Sequence, residues 1–308
     1  MTPNTRVVTV DRILCPTDFS DFSAAAVSYA AAMASDYGAT VRLLHVSTPF
    51  PVVVPFADVP GDPRLFEVQS EQAEQGLAAE AARVRKSGVT VDTERREGNA
   101  VREVLNAAQD FKADVIVLGT HGRGGFERLV LGSVTEKILR KASCAVLTIP
   151  HASVGLDHGI LRWRHILCAH DGSAASQAGV NFAASLAERS EARLTLLSVV
   201  ESIPYGGDFT SPDFSAFRKA RERHAKEALD AALTADARVR CHVSERVVYG
   251  KPSQQILEVA EQDTPDLIVM GVQGRGALDL LMFGSTTNHV VRHAACPVLT
   301  VRPPQPGA

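Results

Sequence analysis

Residues 113–135 read ADVIVLGTHGRGGFERLVLGSVT, and residues 265–287 read PDLIVMGVQGRGALDLLMFGSTT. Each stretch opens with a short apolar, β-branched run. Each then passes through Gly-x2-Gly and reaches Gly-Ser where a helical pattern begins. Working outward, RILCPTDFS at 12–20 is echoed by HILCAHDGS at 165–173, VRLLHV at 41–46 by LTLLSV at 194–199, and CAVLTIP at 144–150 by CPVLTVR at 296–302. The order and almost all the spacing are kept. The chain is therefore one unit of about 145 residues written twice, too long for a solenoid repeat and large enough to bury its own core. The join lies near 151–163, so domains are expected over 1–152 and 160–308.

Within the first unit, apolar runs at 12–17, 41–46, 114–118 and 145–149, with a more polar one at 89–95, read as strands. Helical patterns at 22–37, 65–87, 100–111 and 133–142 separate them; Val101, Val104, Leu105 and Ala108 mark one apolar helix face. Ser20 or Asp21 is the expected cap of the first helix. Strands alternating with helices imply right-handed crossovers and a parallel α/β sheet covered on both faces. The most apolar strands, first and fourth, belong in the centre. The expected fold is two tandem, doubly wound, five-stranded parallel sheets, each of order 3-2-1-4-5. That order puts the switch point, where such sheets bind ligands, between strands 1 and 4.

The residues expected there carry phosphate chemistry. After strand 4 the pattern G-x2-G-x9-G-S comprises Gly119, Gly122, Gly132 and Ser133, then Gly271, Gly274, Gly284 and Ser285. Glycines allow φ > 0 and close approach of the main chain, and a helix N-terminus offers unpaired N–H donors. Thr135 and Thr287 offer a further hydroxyl each. After strand 1 stand Asp18 and Asp171, which suit ribose hydroxyls or a divalent cation beside phosphates. Simple chain turning by the glycines and helix capping by the aspartates are the plainer alternatives. Arg123 and Arg275 stand ready for a phosphate or for solvent. Neither G-x-x-x-x-G-K-[ST] nor a strand followed by G-x-G-x-x-G occurs, so both common phosphate fingerprints are missing.

Composition narrows the function classes. The 308 residues are 45% hydrophobic and 22% charged, with 32 Lys+Arg against 35 Asp+Glu and a net charge of −3. Both signs are spread over both halves, which speaks against nucleic acid as a partner. No run approaches the ~18 apolar residues of a membrane span, and MTPNTRVVTVD lacks a signal peptide's apolar stretch, so a cytoplasmic protein is expected. The five cysteines form no CxxC pair and read as reduced, mostly buried thiols. His289 and His293 have a metal-ligand spacing, but Lys137 and Lys141 hold the matching positions in the first unit, which favours a charge role at the helix end.

The segments PTDFS, LLHV, GTHGRGG, GSVT and CAVLTIP, with HDGS, LLSV, GVQGRG, GSTT and CPVLTV in the second unit, resemble the universal stress protein family in its tandem form. The resemblance implies the five-stranded, adenine nucleotide alpha hydrolase-like sheet and, where the glycine pattern is kept, ATP binding. It implies that Thr17 and Asp18 face the nucleotide and that Val46 offers backbone groups to adenine. Gly119, His121, Gly122, Gly132, Ser133 and Thr135 would surround the phosphates. In the second unit Asp171, Val199, Gly271, Gly274, Gly284, Ser285 and Thr287 match, while His170 replaces Thr17 and Gln273 replaces His121. Those replacements put equal affinity of the two sites in doubt. The expected function is a nucleotide-dependent stress-response regulator with two ATP sites, Mg2+ held with Asp18 and Asp171, and at most slow hydrolysis. No residue is assigned a catalytic role. Its rivals are an ATP-dependent ligase or adenylyltransferase, and an interaction protein with vestigial sites.

The long loops at 48–64 and 201–214 are expected to act as lids. The strand-5 segments AVLTI and PVLTV are apolar and would lie at sheet edges, which invites pairing. They are expected to pair with each other within the chain, as the resemblance also implies. A homodimer and an unknown protein partner complete the expected assemblies.

Overall fold

A computed structural model describes residues 8–48, 63–120, 131–150, 163–201, 212–272 and 283–303. The first unit runs β1 (Arg12–Pro16), α1 (Asp21–Tyr37), β2 (Thr40–Ser47), α2 (Pro63–Arg85), β3 (Val91–Glu97), α3 (Ala100–Phe111), β4 (Val115–Gly119), α4 (Ser133–Lys141) and β5 (Ala145–Ile149). The second runs β6 (His165–Ala169), α5 (Ala174–Ser190), β7 (Arg193–Val200), α6 (Pro212–Ala232), α7 (Ala235–Arg240), β8 (His242–Tyr249), α8 (Pro252–Asp263), β9 (Leu267–Gly271), α9 (Ser285–His293) and β10 (Val298–Val301). The short α7, capped by Thr234, has no counterpart in the first unit and was not foreseen.

The strand order is β3-β2-β1-β4-β5-β10-β9-β6-β7-β8. Each half keeps the expected 3-2-1-4-5 order, with β1 and β4 paired in parallel, as are β6 and β9. The two five-stranded sheets are, however, continuous: β5 and β10 pair antiparallel, with Val146 opposite Thr300, Leu147 opposite Leu299 and Thr148 opposite Val298. Thr148 Oγ1 donates to the Val298 carbonyl at 3.1 Å, and Thr300 Oγ1 to the Val146 carbonyl at 3.2 Å. The apolar edges are thus consumed in the seam, and the outermost strands are the polar ones. On β3, Asp92 and Glu94 grip Arg42, and Glu94 also holds Arg96. Charged side chains are a usual way to keep an edge from pairing. The first residue of this strand is Val91, two past the expected start.

Each face of the sheet carries one apolar layer that runs through both units. On one face Ala26, Met33, Leu77, Ala81, Val180, Leu186 and Leu229 from α1, α2, α5 and α6 cover Cys15, Leu43, Cys168 and Leu196. On the other, Val104, Ile138, Leu139, Ile256, Val259 and Val290 from α3, α4, α8 and α9 cover Leu14, Ile116, Leu167 and Ile268. Contacts across the join include Arg292 with Glu136 at 3.1 Å, Arg189 over the Tyr37 ring at 4.5 Å, and Ser185 Oγ donating to the Val8 carbonyl at 2.9 Å. All five cysteines are free thiols. Burial pushes Cys144 and Cys296 up to about 12, so they stay protonated and inert near neutrality. No described helix is long and apolar enough to cross a membrane.

His165, buried at the start of β6, has Nδ1 2.9 Å from the Arg193 guanidinium and 3.2 Å from the Asp263 carbonyl, and Nε2 2.9 Å from Thr195 Oγ1. Desolvation by burial, then the Arg193 charge, lowers its pKa. The fold therefore prefers the neutral ring. Below the histidine's ordinary value of ~6.5 the unfolded chain takes up a proton that the folded chain refuses, so stability falls as pH drops through that region. Denaturant titrations between pH 7.5 and 5.5 should show this loss, and His165→Gln should flatten it. A wild-type and variant that decline in parallel would refute the assignment.

Candidate functional site

The strand order puts a switch point at the carboxyl end of each half-sheet, where open α/β sheets commonly bind ligands. At the carboxyl end of β1 the chain leaves through Thr17 and Asp18, and at the carboxyl end of β4 it leaves through Gly119. Thr17 N–H donates to the Leu44 carbonyl, and the matching His170 N–H donates to Leu197, both at 2.8 Å. The helix after strand 1 is capped by a serine, not by the aspartate: Ser20 Oγ accepts from Ser23 N–H, and Ser173 Oγ accepts from Ser176 N–H at 3.1 Å. Each aspartate braces that cap. Asp18 Oδ1 accepts from Ser20 N–H at 3.1 Å and from Ser20 Oγ at 2.5 Å, and Asp171 Oδ1 accepts from Ser173 N–H at 2.9 Å. The direct capping alternative for Asp18 and Asp171 therefore does not hold. Of the two candidate caps, Ser20 is used.

The helices after strand 4 start differently. Gly132 and Gly284 are the N-cap residues of α4 and α9, and neither helix has a side-chain cap. Among the described helices with a defined N-cap residue, α1, α3, α5 and α7 carry such a cap, and α8, which starts after Lys251 with Pro252, lacks one. The amides of the first turn have no partner within their helix and attract negative charge. Ser133 and Ser285 are the first helical residues. Both helix starts are tied to the ends of the preceding strands. Gly132 N–H donates to the Thr120 carbonyl at 2.8 Å and Gly284 N–H to the Val272 carbonyl at 3.0 Å. Thr135 Oγ1 donates to the Gly119 carbonyl at 2.9 Å, and Thr287 Oγ1 to the Gly271 carbonyl at 3.0 Å. Thr135 and Thr287 are buried, and their hydroxyl protons serve this tie. Their task in the structure is to position the amide turn.

Gly119 and Gly271 also behave differently from the expectation. Each ends its strand, and neither is among the described glycines of positive φ. At Gly271 the reason is packing. A Cβ there would lie 2.7 Å from the main-chain carbon of Ala175 and from Ser176 N, so the missing side chain lets α5 cross the strand end. Gly271→Ala is expected to cost ~1–3 kcal/mol, as overpacking does, measured by chemical denaturation. A neutral substitution would show that the helix yields freely.

In the second unit the elements enclose a cleft of about 1230 Å³. His170, Asp171, Val199, Gly271, Gly284, Ser285 and Thr287 all line it. Seven of the expected positions, dispersed over more than a hundred residues of sequence, thus share one cavity. His170 is buried, with Nδ1 3.1 Å from Ser176 Oγ. In the first unit Thr17 Oγ1 lies 3.1 Å from Ser23 Oγ and 3.2 Å from Glu80 Oε1 on α2. Burial, opposed by the Thr17 hydrogen bond, raises the Glu80 pKa. Glu80 is a neighbour of this crevice that sequence reading missed; its place in a long charged helix gave no sign of it. Val46 is half-buried near the end of β2. His121, Gly122, Arg123, Gln273, Gly274 and Arg275 lie outside the described residues, as do most of the two expected lids. Among the described residues no group of three His, Cys, Asp or Glu side chains is placed to hold a metal ion. His289 and His293 stack on each other at 4.1 Å, and His293 Nδ1 lies 2.8 Å from the His289 carbonyl, a helix-end arrangement.

The comparisons with known proteins agree with this architecture. The Universal stress protein family profile matches twice, over residues 9–150 and 162–302. A universal stress protein from Mycolicibacterium smegmatis is 30% identical over 304 residues, covering 94% of this chain and 97% of that one. One from Methanocaldococcus jannaschii is 34% identical over 141 residues, 45% of this chain and 81% of its own. The crystal structure of a universal stress protein from Archaeoglobus fulgidus superposes with a TM-score of 0.68 at 22% identity, covering 97% of this chain and 98% of that chain. With both halves matched and the sheet order shared, the chain belongs to the universal stress protein family, as a tandem two-domain member.

Proposed function

We propose that this protein binds adenine nucleotides at the carboxyl ends of its two half-sheets and acts as a nucleotide-dependent regulator of the stress response. The observation that carries the reading is the cleft of the second unit, in which Asp171, Val199, Gly284 and Ser285 converge around a helix start without a side-chain cap. A polyphosphate would lie against the amides of Ser285 and its neighbours. The ribose would meet Asp171, and adenine the main chain near Val199. In the first unit Asp18, Val46, Gly132 and Ser133 hold the same stations. His121, Gly122 and Arg123, with Gln273, Gly274 and Arg275, would close over the phosphates.

A Mg2+ ion fits this donor set as a companion of the nucleotide. Each crevice offers one aspartate, Asp18 or Asp171, and Mg2+ is commonly bound by one or two carboxylates together with substrate phosphates and water. The ion would neutralise phosphate charge when bound. The protein's own part is to bind and to report. The aspartate braces the capped turn at α1 or α5, so a ligand that draws on the carboxylate also pulls on that turn. A partner that reads the turn would sense occupancy as a shift in population.

Titration calorimetry of the full chain with ATP and Mg2+ tests the reading. Saturable binding, with an ADP release rate far below that of a dedicated ATPase, supports it. Absence of binding at millimolar ATP would favour an interaction protein with vestigial sites. Release of pyrophosphate would favour the ligase or adenylyltransferase chemistry.

A further inference from the structure

The two crevices differ in one block of side chains. In the first unit Phe19 sits in the turn after Asp18 at φ 61°, a left-handed conformation that is costly for a bulky residue. Its ring stacks on His45, with centroids 4.5 Å apart and planes at 24°. It also presses on α2 at Gly76, where a Cβ would fall 2.8 Å from the Phe19 ring. A glycine inside a helix is unfavourable by ~1 kcal/mol relative to alanine, and here its bareness makes room for the ring. His45 Nδ1 is 2.9 Å from the Thr17 carbonyl, which fixes the second ring of the stack. The pair is a built feature filling the space between β1, β2 and α2.

The second unit keeps the turn and discards both rings. Gly172 takes the place of Phe19, at φ 79°, and Ser198 takes the place of His45. Ser198 lines the cleft, together with His224, Ala225 and Ala228 on α6. The buried residues Ala73, Leu77 and Ala81 of α2 match Ala225 and Leu229 of α6 and Leu233 just after it, which sets Ala228 opposite Gly76. The small side chains leave a chamber that opens on the nucleotide stations. The whole cleft, at about 1230 Å³, exceeds the ~300–1,000 Å³ that one small ligand usually takes.

We infer that the second unit's site is shaped for an adenine nucleotide carrying a second planar ring, which occupies the place that Phe19 and His45 fill in the first unit. The inference rests on the nucleotide reading and narrows it: the first unit takes a plain nucleotide, and the second takes one whose extra ring supplies the missing stack. Ala225 and Ala228, the latter in the place of Gly76, form the chamber's apolar α6 wall, and the exposed His224 lines the cleft one turn away.

The test uses the full chain with the first site silenced by Gly132→Asp. Displacement of a fluorescent ATP analogue is measured with ATP, diadenosine tetraphosphate and N6-benzyl-ATP. At least one ring-bearing probe should bind about tenfold or more tightly than ATP, the scale of one stacked base. Transplanting the first unit's wall, as Gly172→Phe/Ser198→His/Ala228→Gly, should bring the ratio of affinities to about one, within the scatter expected of such measurements. The reciprocal Phe19→Gly/His45→Ser, read with the second site silenced by Gly284→Asp, should create the preference in the first unit. The inference is overturned if ATP binds the second unit as tightly as both probes, or if the transplant leaves the preference intact. Failure of ATP and both probes to bind either unit would instead overturn the nucleotide reading itself, and this inference with it.

Discussion

Val298→Asp is expected to break the molecule at its centre. Val298 is 2% exposed, lies in β10, and sits between Thr148 on β5 and Ile268 on β9. A carboxylate there has no cationic partner within the seam, and an unpaired buried charge costs more than about 4 kcal/mol. The same change disturbs the Thr148 bond to the Val298 carbonyl. We expect loss of cooperative unfolding between the halves: two transitions in calorimetry where the wild type has one, with hydrogen exchange rising first in β5 and β10. Val146→Asp should do the same from the other side. A single sharp transition at an unchanged temperature would mean that the seam is not what couples the units.

Gly284→Asp is expected to separate binding from stability. Gly284 has φ −60° and ψ 141°, a conformation open to any residue, and caps α9 with no side chain of its own. An aspartate there supplies the missing cap and stabilises by roughly 0.2–0.5 kcal/mol. Its carboxylate also takes the first-turn amides and repels phosphate. Affinity for ATP at the second unit should fall about a hundredfold or more, equivalent to two charge-assisted hydrogen bonds. Gly132→Asp should act likewise at the first unit. A melting temperature that is kept or slightly raised, together with loss of nucleotide, is a signature that mere unfolding cannot give. A variant that binds ATP as well as wild type would refute the amide turn as the phosphate site.

Much of this architecture was legible in the sequence because burial writes a simple pattern. DVIVL and DLIVM are apolar on both faces, so they could only be central strands, and the strand order followed. Gly132-Ser133 and Gly284-Ser285 marked helix starts correctly because they close a motif repeated in both halves. Other features depend on contacts between distant segments. The seam that joins the two sheets into one was expected from the apolar edges of AVLTI and PVLTV, but its register, Leu147 opposite Leu299, was not. The threonines at 135 and 287 looked like ligand donors, but they reach back to the carbonyls of Gly119 and Gly271, a closure that sequence spacing alone does not reveal. Gly271 looked like a residue cleared for a phosphate, whereas the helix crossing it is α5. The Phe19–His45 stack was invisible for the same reason: its third member, Gly76, lies on a helix whose polar surface drew no attention.

Under the proposed function, the main-chain amides at two helix starts of this chain, those of α4 and α9, hold a nucleotide's phosphates. Native mass spectrometry of the intact protein, titrated with ATP and Mg2+, tests it most directly. Two nucleotides are expected per wild-type chain, one for Gly284→Asp or Gly132→Asp, and none for the double variant, with the folded state retained throughout. Equal occupancy in all four proteins, or a wild type that stays empty at saturating ATP, would contradict it.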